Sequence, residues 1–573
     1  LSLHDALPIC TNSSRKFFAK VPLKVKLDNQ IDISMIIRKF HKFARLTRHL
    51  SSITFCQGIN INQSALPTFS RFLRYNATKT LHSISLKGYL AHENHEIPNL
   101  VKLFSEIEKF KLESFTFATF MIFTNPLDTR DIALYKRAIQ SLIRIRSLTF
   151  LYLQPLKEFL YDQYSLSYLL NHFPKLCTLY IPPLEDSDSD REFIKDIQLF
   201  PNIQAFYSRI LYPHKGILSR ILTEATKLSI INIELLPECM TSGFKNPSNY
   251  KISPRFQLFL NNISRLKNLE QITIAHKTIP TSHKTSYLTL LSIQSLSSLT
   301  KLTKLTIHSN FSSRRMLVSF QELGETISQM KSLRYISIHS FATSRALEDL
   351  FQSRSKDLTS LQEIIFDFSL DEELIIKRSF LDWMQTKNKL ESFSIMLGVS
   401  QVHGQLMTIS PMSLRYLAMG ISSVRKLRYL KFCCGIDEVR QINTPNKHSI
   451  DIFTSFLTTS QKTIISDMIS NLSSLKKLIL KMGAGYFSNE EIASLMKMLG
   501  KRKNLYSLAL GGNFNKAPKS IFELVSYIDK NADQIRKFYF SPFEDENTNF
   551  ESEISLINSG KIYLKNDLLK LEL

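Results

Sequence analysis

Two short stretches of this chain bring together residue types that do chemistry. His92-Glu93-Asn94-His95-Glu96 sets two imidazoles beside two carboxylates. A zinc hydrolase of the His-Glu-x-x-His kind places both histidines on one helical face, with the glutamate as base. Here the histidines are one residue too close for that motif, and the segment runs into Pro98. A polar loop is the expected reading. Asp186-Ser187-Asp188-Ser189-Asp190 opens like a calcium loop, with acids at alternate positions. Such a loop then needs Gly at its sixth place and Glu at its twelfth, and this chain has Arg191 and Ile197 there. An acidic solvent loop is expected. Ser187 and Ser189 each have an acid three residues on. They are candidate phosphosites, where added negative charge can pair with basic surface.

Gly483-Ala484-Gly485 and Gly511-Gly512 lack the Gly-Lys-Ser/Thr that completes a phosphate loop. Glycine there is expected to let the backbone leave a strand with positive φ. The chain carries no nucleophile elbow, no kinase motif set and no paired catalytic carboxylates. The expectation is a protein that is not an enzyme, with no metal and no cofactor.

The elements that would position any site follow from a recurring phrase, Leu-x-x-Leu-x-Leu. It reads Leu302-x-x-Leu305-x-Ile307, Leu333-x-x-Ile336-x-Ile338, Leu361-x-x-Ile364-x-Phe366 and Leu390-x-x-Phe393-x-Ile395. Upstream it starts at Leu50, Leu81, Leu112, Leu148, Leu176, Ile203, Leu228 and Leu269; downstream at Leu427, Leu475, Leu505 and Ile535. A fixed period of about thirty residues means stacked units rather than one globular core. The fourth and sixth positions alternate with variable ones, the period of a strand with one buried face. Between phrases the spacing is helical, as in Glu322 to Met330 and in Ser488 to Met498, where Ser488 and Glu491 form a capping box.

These phrases resemble the leucine-rich repeat family over residues 50–545, and the unit length is similar to its ribonuclease-inhibitor-like subtype. The family places Asn or Cys three residues after the last Leu; Asn310 and Asn513 match, and Gly398, Gly435 and Gly483 depart. The resemblance implies an α/β solenoid, a horseshoe with a parallel β-sheet on its concave face and helices on its convex face. It also implies that partners bind the concave face, through the third, fifth and seventh positions of the phrase. Those positions begin as Ser52, Thr54, Ser83, Ser85, Ser114 and Thr116. They then turn aromatic at Phe150, Tyr152, Tyr180 and Tyr207. Later they mix base with aromatic: Lys304, His308, Tyr335, His339, Tyr429, Lys431, Lys477, Lys481, Lys537 and Tyr539, with an acidic interruption at Glu363 and Asp367. Tyrosine gives large contact area at low entropy cost. Such rows suit an acidic protein segment, or single-stranded nucleic acid with bases on the rings and lysine on the phosphates.

The chain has 573 residues, with 73 basic and 50 acidic side chains giving a net charge of +23. That balance favours acidic proteins, nucleic acid or anionic membrane. No run is apolar enough for a transmembrane span. Six scattered cysteines suggest no zinc spacing and no disulfide framework, so a reducing, intracellular location, cytoplasmic or nuclear, is expected. Leu1–Ile9 is similar to translated adapter sequence and is set aside, and with no initiating Met the chain is expected to be a piece of a longer one. Residues 10–49 are expected to form a basic helical cap: Met35, Ile36, Phe40, Phe43 and Leu46 make an apolar stripe among Arg38, Lys39, Lys42, Arg45 and Arg48. The same stripe also fits a membrane-surface helix. Residues 546–573 are expected to be a C-terminal cap or tail.

The function this implies is a non-catalytic interaction scaffold for an acidic protein partner. Nucleic-acid or anionic-membrane binding is the alternative.

Overall fold

A computed structural model describes residues 23–27, 50–55, 82–87, 150–153, 175–184, 202–210, 225–235, 260–276, 293–309, 320–370, 374–399, 409–436, 459–486, 504–513, 537–542, 562–565 and 568–572, with parts of 101–118, 133–144 and 493–499. The chain divides into two units, Leu1–Cys239 and Met240–Leu573.

The first unit holds β1 (Leu23–Leu27), β2 (Leu50–Phe55), β3 (Ser83–Lys87), β4 (Ser114–Ala118), β5 (Phe150–Leu153), β6 (Thr178–Leu184), β7 (Ala205–Ile210) and β8 (Ile230–Leu235). Each pairs with the next in parallel. Leu23–Leu27 was expected within a helical cap and is instead a strand beside β2. Its Leu-x-Val-x-Leu alternation is the reason. The apolar stripe from Met35 to Leu46 lies outside the described residues.

The second unit holds β9 (Gln271–His276), β10 (Lys304–Ser309), β11 (Tyr335–Phe341), β12 (Glu363–Leu370), β13 (Ser392–Val399), β14 (Tyr429–Ile436), β15 (Lys477–Tyr486), β16 (Ser507–Asn513) and β17 (Lys537–Pro542), again parallel in sequence order. Two short strands, β18 (Ile562–Lys565) and β19 (Leu568–Glu572), close this run, with β19 antiparallel to both β17 and β18. Helices α1 (Phe320–Gln329), α2 (Ser344–Gln352), α3 (Arg378–Gln385), α4 (Pro411–Ser422) and α5 (Thr459–Asn471) fall between successive strands. α1 supplies the helix read from Glu322 to Met330. The helix read from Ser488 is seen at Ala493, Leu495, Lys497, Met498 and Leu499, while its capping box lies outside the described residues.

Each phrase does what its spacing dictates. Leu302, Leu305 and Ile307 are buried, as are Leu333, Ile336 and Ile338, and the same holds through Leu505, Leu508 and Leu510. In the first unit Ile84, Phe115, Phe206, Ile231 and Ile233 fill the equivalent places.

From β9 to β16, among the described residues, a single carbonyl locks each strand to the next at its entrance. The oxygen of Glu270 accepts both the Thr303 and Lys304 N–H groups, at 2.8 and 3.0 Å. Thr303 then serves Arg334 and Tyr335, Arg334 serves Gln362 and Glu363, and Gln362 serves Glu391 and Ser392. Glu391, Arg428 and Lys476 continue the chain of double acceptance to Ser507. His82, Cys177 and Gln204 do the same in the first unit. A carbonyl oxygen has two lone pairs, and this arrangement uses both.

Before β9, β10, β11, β14 and β15 the chain makes a tight three-residue step, one apolar side chain per turn: Ile263, Leu266, Leu269; Leu296, Leu299, Leu302; Ile327, Met330, Leu333; Ile421, Val424, Leu427; Ile469, Leu472, Leu475. The repeat before β13 runs Met384, Lys387, Leu390, so a lysine takes the middle apolar place. Lys387 is 1% exposed. Its Nζ donates to the carbonyls of Ser355 (2.9 Å) and Lys356 (3.2 Å) and to the Thr386 hydroxyl (2.9 Å). It also lies 4.7 Å from the Trp383 ring centroid. Trp383 anchors the aromatic core here, packed against Phe351, Phe366 and Phe380, with its Nε1 donating to Ser355 Oγ at 2.9 Å.

The glycines of 483–485 and 511–512 do not mark strand exits, as the sequence reading expected. Gly511 and Gly512 lie inside β16 and pair with Ser541 and Pro542, while Gly483 and Gly485 lie within β15 at an irregularity, where its register to β16 shifts between Lys481 and Tyr486. Gly420 has a different task. A Cβ there would stand 2.7 Å from Cε1 of buried Phe380, so α3 and α4 approach only because this side chain is missing. Gly420→Ala is expected to lower stability by about 1–3 kcal/mol through overpacking, read by denaturant titration.

Burial pushes the Lys387 ammonium down to about 7, against a smaller opposing pull from Asp357. In the unfolded chain it stays protonated to about 10.4. Between those limits the unfolded state binds the extra proton, so this group's contribution to stability rises with pH from about 7 and is at its worst below. Lys387→Met, which restores the apolar residue of the other repeats, is expected to be more stable than the parent at pH 7. That advantage should shrink by on the order of 4 kcal/mol by pH 10, measured by denaturation at each pH.

Candidate partner-binding face

The phrase residues that do not face the core line the other side of the strands. In the second unit the parallel register sorts them into three rows. The first reads Gln271, Lys304, Tyr335, Glu363, Ser392, Tyr429, Lys477, Ser507, Lys537. The second reads Thr273, Thr306, Ser337, Ile365, Ser394, Lys431, Ile479, Ala509, Tyr539. The third begins Ala275, His308, His339, Asp367, Met396, Cys433, Lys481. Nearly all the candidate contacts beyond Tyr207 therefore fall on one patch, β10 to β15.

Within the patch, charge and aromatics are paired. Lys304 Nζ stands 4.5 Å from the Tyr335 ring centroid, and Lys477 Nζ 5.2 Å from that of Tyr429. Cations over tyrosine faces are held by the ring quadrupole. Burial, with help from the nearby Glu363 charge, raises the phenol pKa of both Tyr335 and Tyr429; the Ser337 hydrogen bond partly offsets this at Tyr335, and Cys433 adds to it at Tyr429. Both are therefore neutral hydroxyls at physiological pH.

Lys304, His308, Tyr335, His339, Tyr429, Lys431 and Lys477 are all partly exposed. In the first unit Tyr207 is partly exposed and aligns with Tyr180, which aligns with Tyr152. The side chains of Tyr152, Tyr180, Lys481 and Tyr539 lie outside the described residues, as do Ser187, Ser189, the His92–Glu96 segment and the Asp186–Asp190 loop. The small residues of the face are not all as open as the periodicity alone suggests. Ser85, Thr116, Ser337, Ser394 and Ser507 are buried, while Ser83, Ser114, Thr306 and Ser392 are partly exposed.

The fold also builds a chain of hydrogen bonds that no sequence motif announces. Ser337 Oγ is 2.8 Å from His339 Nε2, and His339 Nδ1 is 3.1 Å from Asp367 Oδ2. His308 packs on His339 with ring centroids 4.9 Å apart. Nucleophile, base and orienting acid occur here in the order acyl transfer uses. Yet Ser337 is 1% exposed, and its strand is paired on both sides through this position. No free pair of backbone N–H groups is left above it to hold an oxyanion. The trio instead fixes three open-face side chains in one orientation. Among the described residues no group of three or more His, Cys, Asp or Glu is arranged to hold a metal ion, and no helix is long and apolar enough to cross a membrane. On the helical side an open groove of about 580 Å³ runs between α4 and α5, with Met419, Met468, Arg415 and Asp467 in its lining.

The described chain is thus leucine-rich-repeat-like: a parallel strand per unit, a buried phrase per strand, and helices between strands. No family model matches it, and no curated protein matches it. Among solved structures it is similar to the TLR13–ssRNA13 complex, at 13% identity and a TM-score of 0.37, over 82% of this chain and 57% of that one. It is also similar to a Bacteroides fragilis protein at 12% identity and a TM-score of 0.28, over 55% of this chain and 65% of that one. The chain spans less than two thirds of either structure. The fold assignment rests on the chain's own register and core.

A fluorophosphonate probe is expected to leave Ser337 unlabelled in the folded protein, read by peptide mass spectrometry. Labelling at Ser337 would make the trio a working nucleophile.

Proposed function

We propose that this chain is a non-catalytic interaction scaffold whose open strand face, from β10 to β15, binds an acidic protein segment. The observation that supports this is the matched pair of lysine-over-tyrosine contacts, Lys304 on Tyr335 and Lys477 on Tyr429, set in one row of a sheet. Each presents a fixed cation and a phenol donor to one ligand, and rigid aromatics with adjoining cations are what protein interfaces use as anchors. On this reading the face is the concave side of a ribonuclease-inhibitor-like horseshoe, residues 50–545 are one array, and 10–49 and 546–573 cap it. The protein acts inside the cell and carries no cofactor. Lys481 and Tyr539 extend the same surface, Tyr152, Tyr180 and Tyr207 give the first unit a binding row of its own, and phosphorylation at Ser187 and Ser189 would tune the protein's charge.

A nucleic-acid ligand is the second reading, favoured by the net charge of +23. The carboxylates of Glu363 and Asp367 sit in the middle of the patch and oppose a phosphate backbone, charged at every step, where a protein segment with spaced acids can avoid them. The test is fluorescence anisotropy with a labelled glutamate-rich peptide and an oligothymidylate of equal charge. The peptide should bind, and a Lys304→Ala, Tyr335→Ala, Tyr429→Ala, Lys477→Ala variant should lose about tenfold or more in affinity. Tighter oligothymidylate binding, with affinity falling steeply against log salt and lost in the same variant, would put the nucleic-acid reading first. Equal binding by parent and variant would remove this face from the function.

A further inference from the structure

The acidic interruption of the basic face is a site in its own right. Glu363 lies in the first row between Tyr335 on one flanking strand and Ser392 on the other, with Tyr429 one strand further on. Its carboxylate is near enough to both phenols to raise their pKa. It is partly exposed, and among the described residues no cation stands within ion-pair distance of it. The two lysines of its row are turned onto the outer tyrosine rings. The next acid on its strand, Asp367, is already held by His339. The row is therefore nearly symmetric: lysine, tyrosine, acid, serine, tyrosine, lysine. Its ends attract anions, and its middle is a carboxylate with a tyrosine on one side and, past Ser392, a tyrosine on the other.

We propose that Glu363, between Tyr335 and Tyr429, is a docking slot for one cationic side chain, arginine or lysine, carried within the acidic segment that the face binds. A guanidinium or ammonium there meets a carboxylate, with the Tyr335 phenol one strand to one side and the Tyr429 phenol two strands to the other, and carboxylates and aromatic side chains are what hold cations at protein surfaces. Spacing sets the pattern of the partner. Neighbouring strands lie about 4.8 Å apart, so Lys304 is about 10 Å from Glu363 across two steps, and Lys477 about 14 Å across three. An extended chain crossing the strands rises about 3.3 Å per residue. The matching segment has an acid, then a base about three residues on, then an acid about four beyond. A uniformly acidic segment, or a phosphate chain, puts like charge against Glu363.

This inference rests on the proposed function, and the test separates the two. Two octapeptides with Glu at the first and eighth positions, differing only in Arg or Gln at the fourth, are titrated into the full chain. The Arg peptide should bind about fivefold tighter, and Glu363→Gln should abolish that difference without weakening the Gln peptide. A third octapeptide with Glu at the fourth position should bind Glu363→Lys better than it binds the parent, which shows that a variant unable to prefer Arg is still folded. Equal affinity of the Arg and Gln peptides for the parent overturns the slot and leaves the acidic-segment reading standing. Binding of neither peptide overturns both.

Discussion

The carbonyl at each strand entrance carries the rest of the structure. By accepting two N–H groups from the following repeat, it fixes both the spacing and the phase of the next strand in one contact. A strand displaced by one residue would turn its buried side chains outward and would break both bonds at once. Once the entrance is set, the fourth and sixth residues of the phrase fall into the core and the third, fifth and seventh fall on the open side. The lysine–tyrosine pairs, the Ser337–His339–Asp367 chain and the isolated Glu363 are all consequences of that phase. None is made by residues close in sequence across a turn.

Much of this was legible from the chain because burial imposes a period. The phrase starts mark the strands, and aligning them gives the open-face rows residue by residue. What alignment does not give is which positions in a row are shaded. Ser337 and Ser394 share the period of Lys431, yet short side chains between longer ones are buried. Strand ends were also misread. Glycine is free to turn, but at 511–512 the neighbouring strand continues and the ladder pairs both glycines, while 483–485 fall where the register between β15 and β16 shifts. At Leu23–Leu27 the apolar alternation is short and interleaved with Lys24 and Lys26, so the strand carries little signal beside the longer helical stripe that follows it.

Lys387 shows what a periodic reading discards. Its neighbours by position in other repeats are Leu266, Leu299, Met330, Val424 and Leu472, so its place predicts burial while its type predicts solvent. The conflict is resolved by reach. Four methylenes fill the apolar position, and the ammonium at their end reaches carbonyls of the preceding repeat. The site was legible only to the extent that chemistry follows the period; Glu363 stood out as an acid among bases, but its isolation depends on where Lys304 and Lys477 turn.

The entrance lock also explains why the repeats tolerate such different lengths. The phrases at Leu427 and Leu475 enclose a much longer stretch than those at Leu361 and Leu390, yet Tyr429 still pairs with Lys477 as Glu363 pairs with Ser392. Length inserted after a strand is absorbed before the next entrance and leaves no trace in the phase. Proline, by contrast, has no place at the second and third phrase positions, since both must supply an N–H, and none of the repeats carries one there. Such a chain can drift freely in its loops through descent while keeping its surface letters in alignment, so relatedness between chains of this kind would be read from strand entrances rather than from overall length.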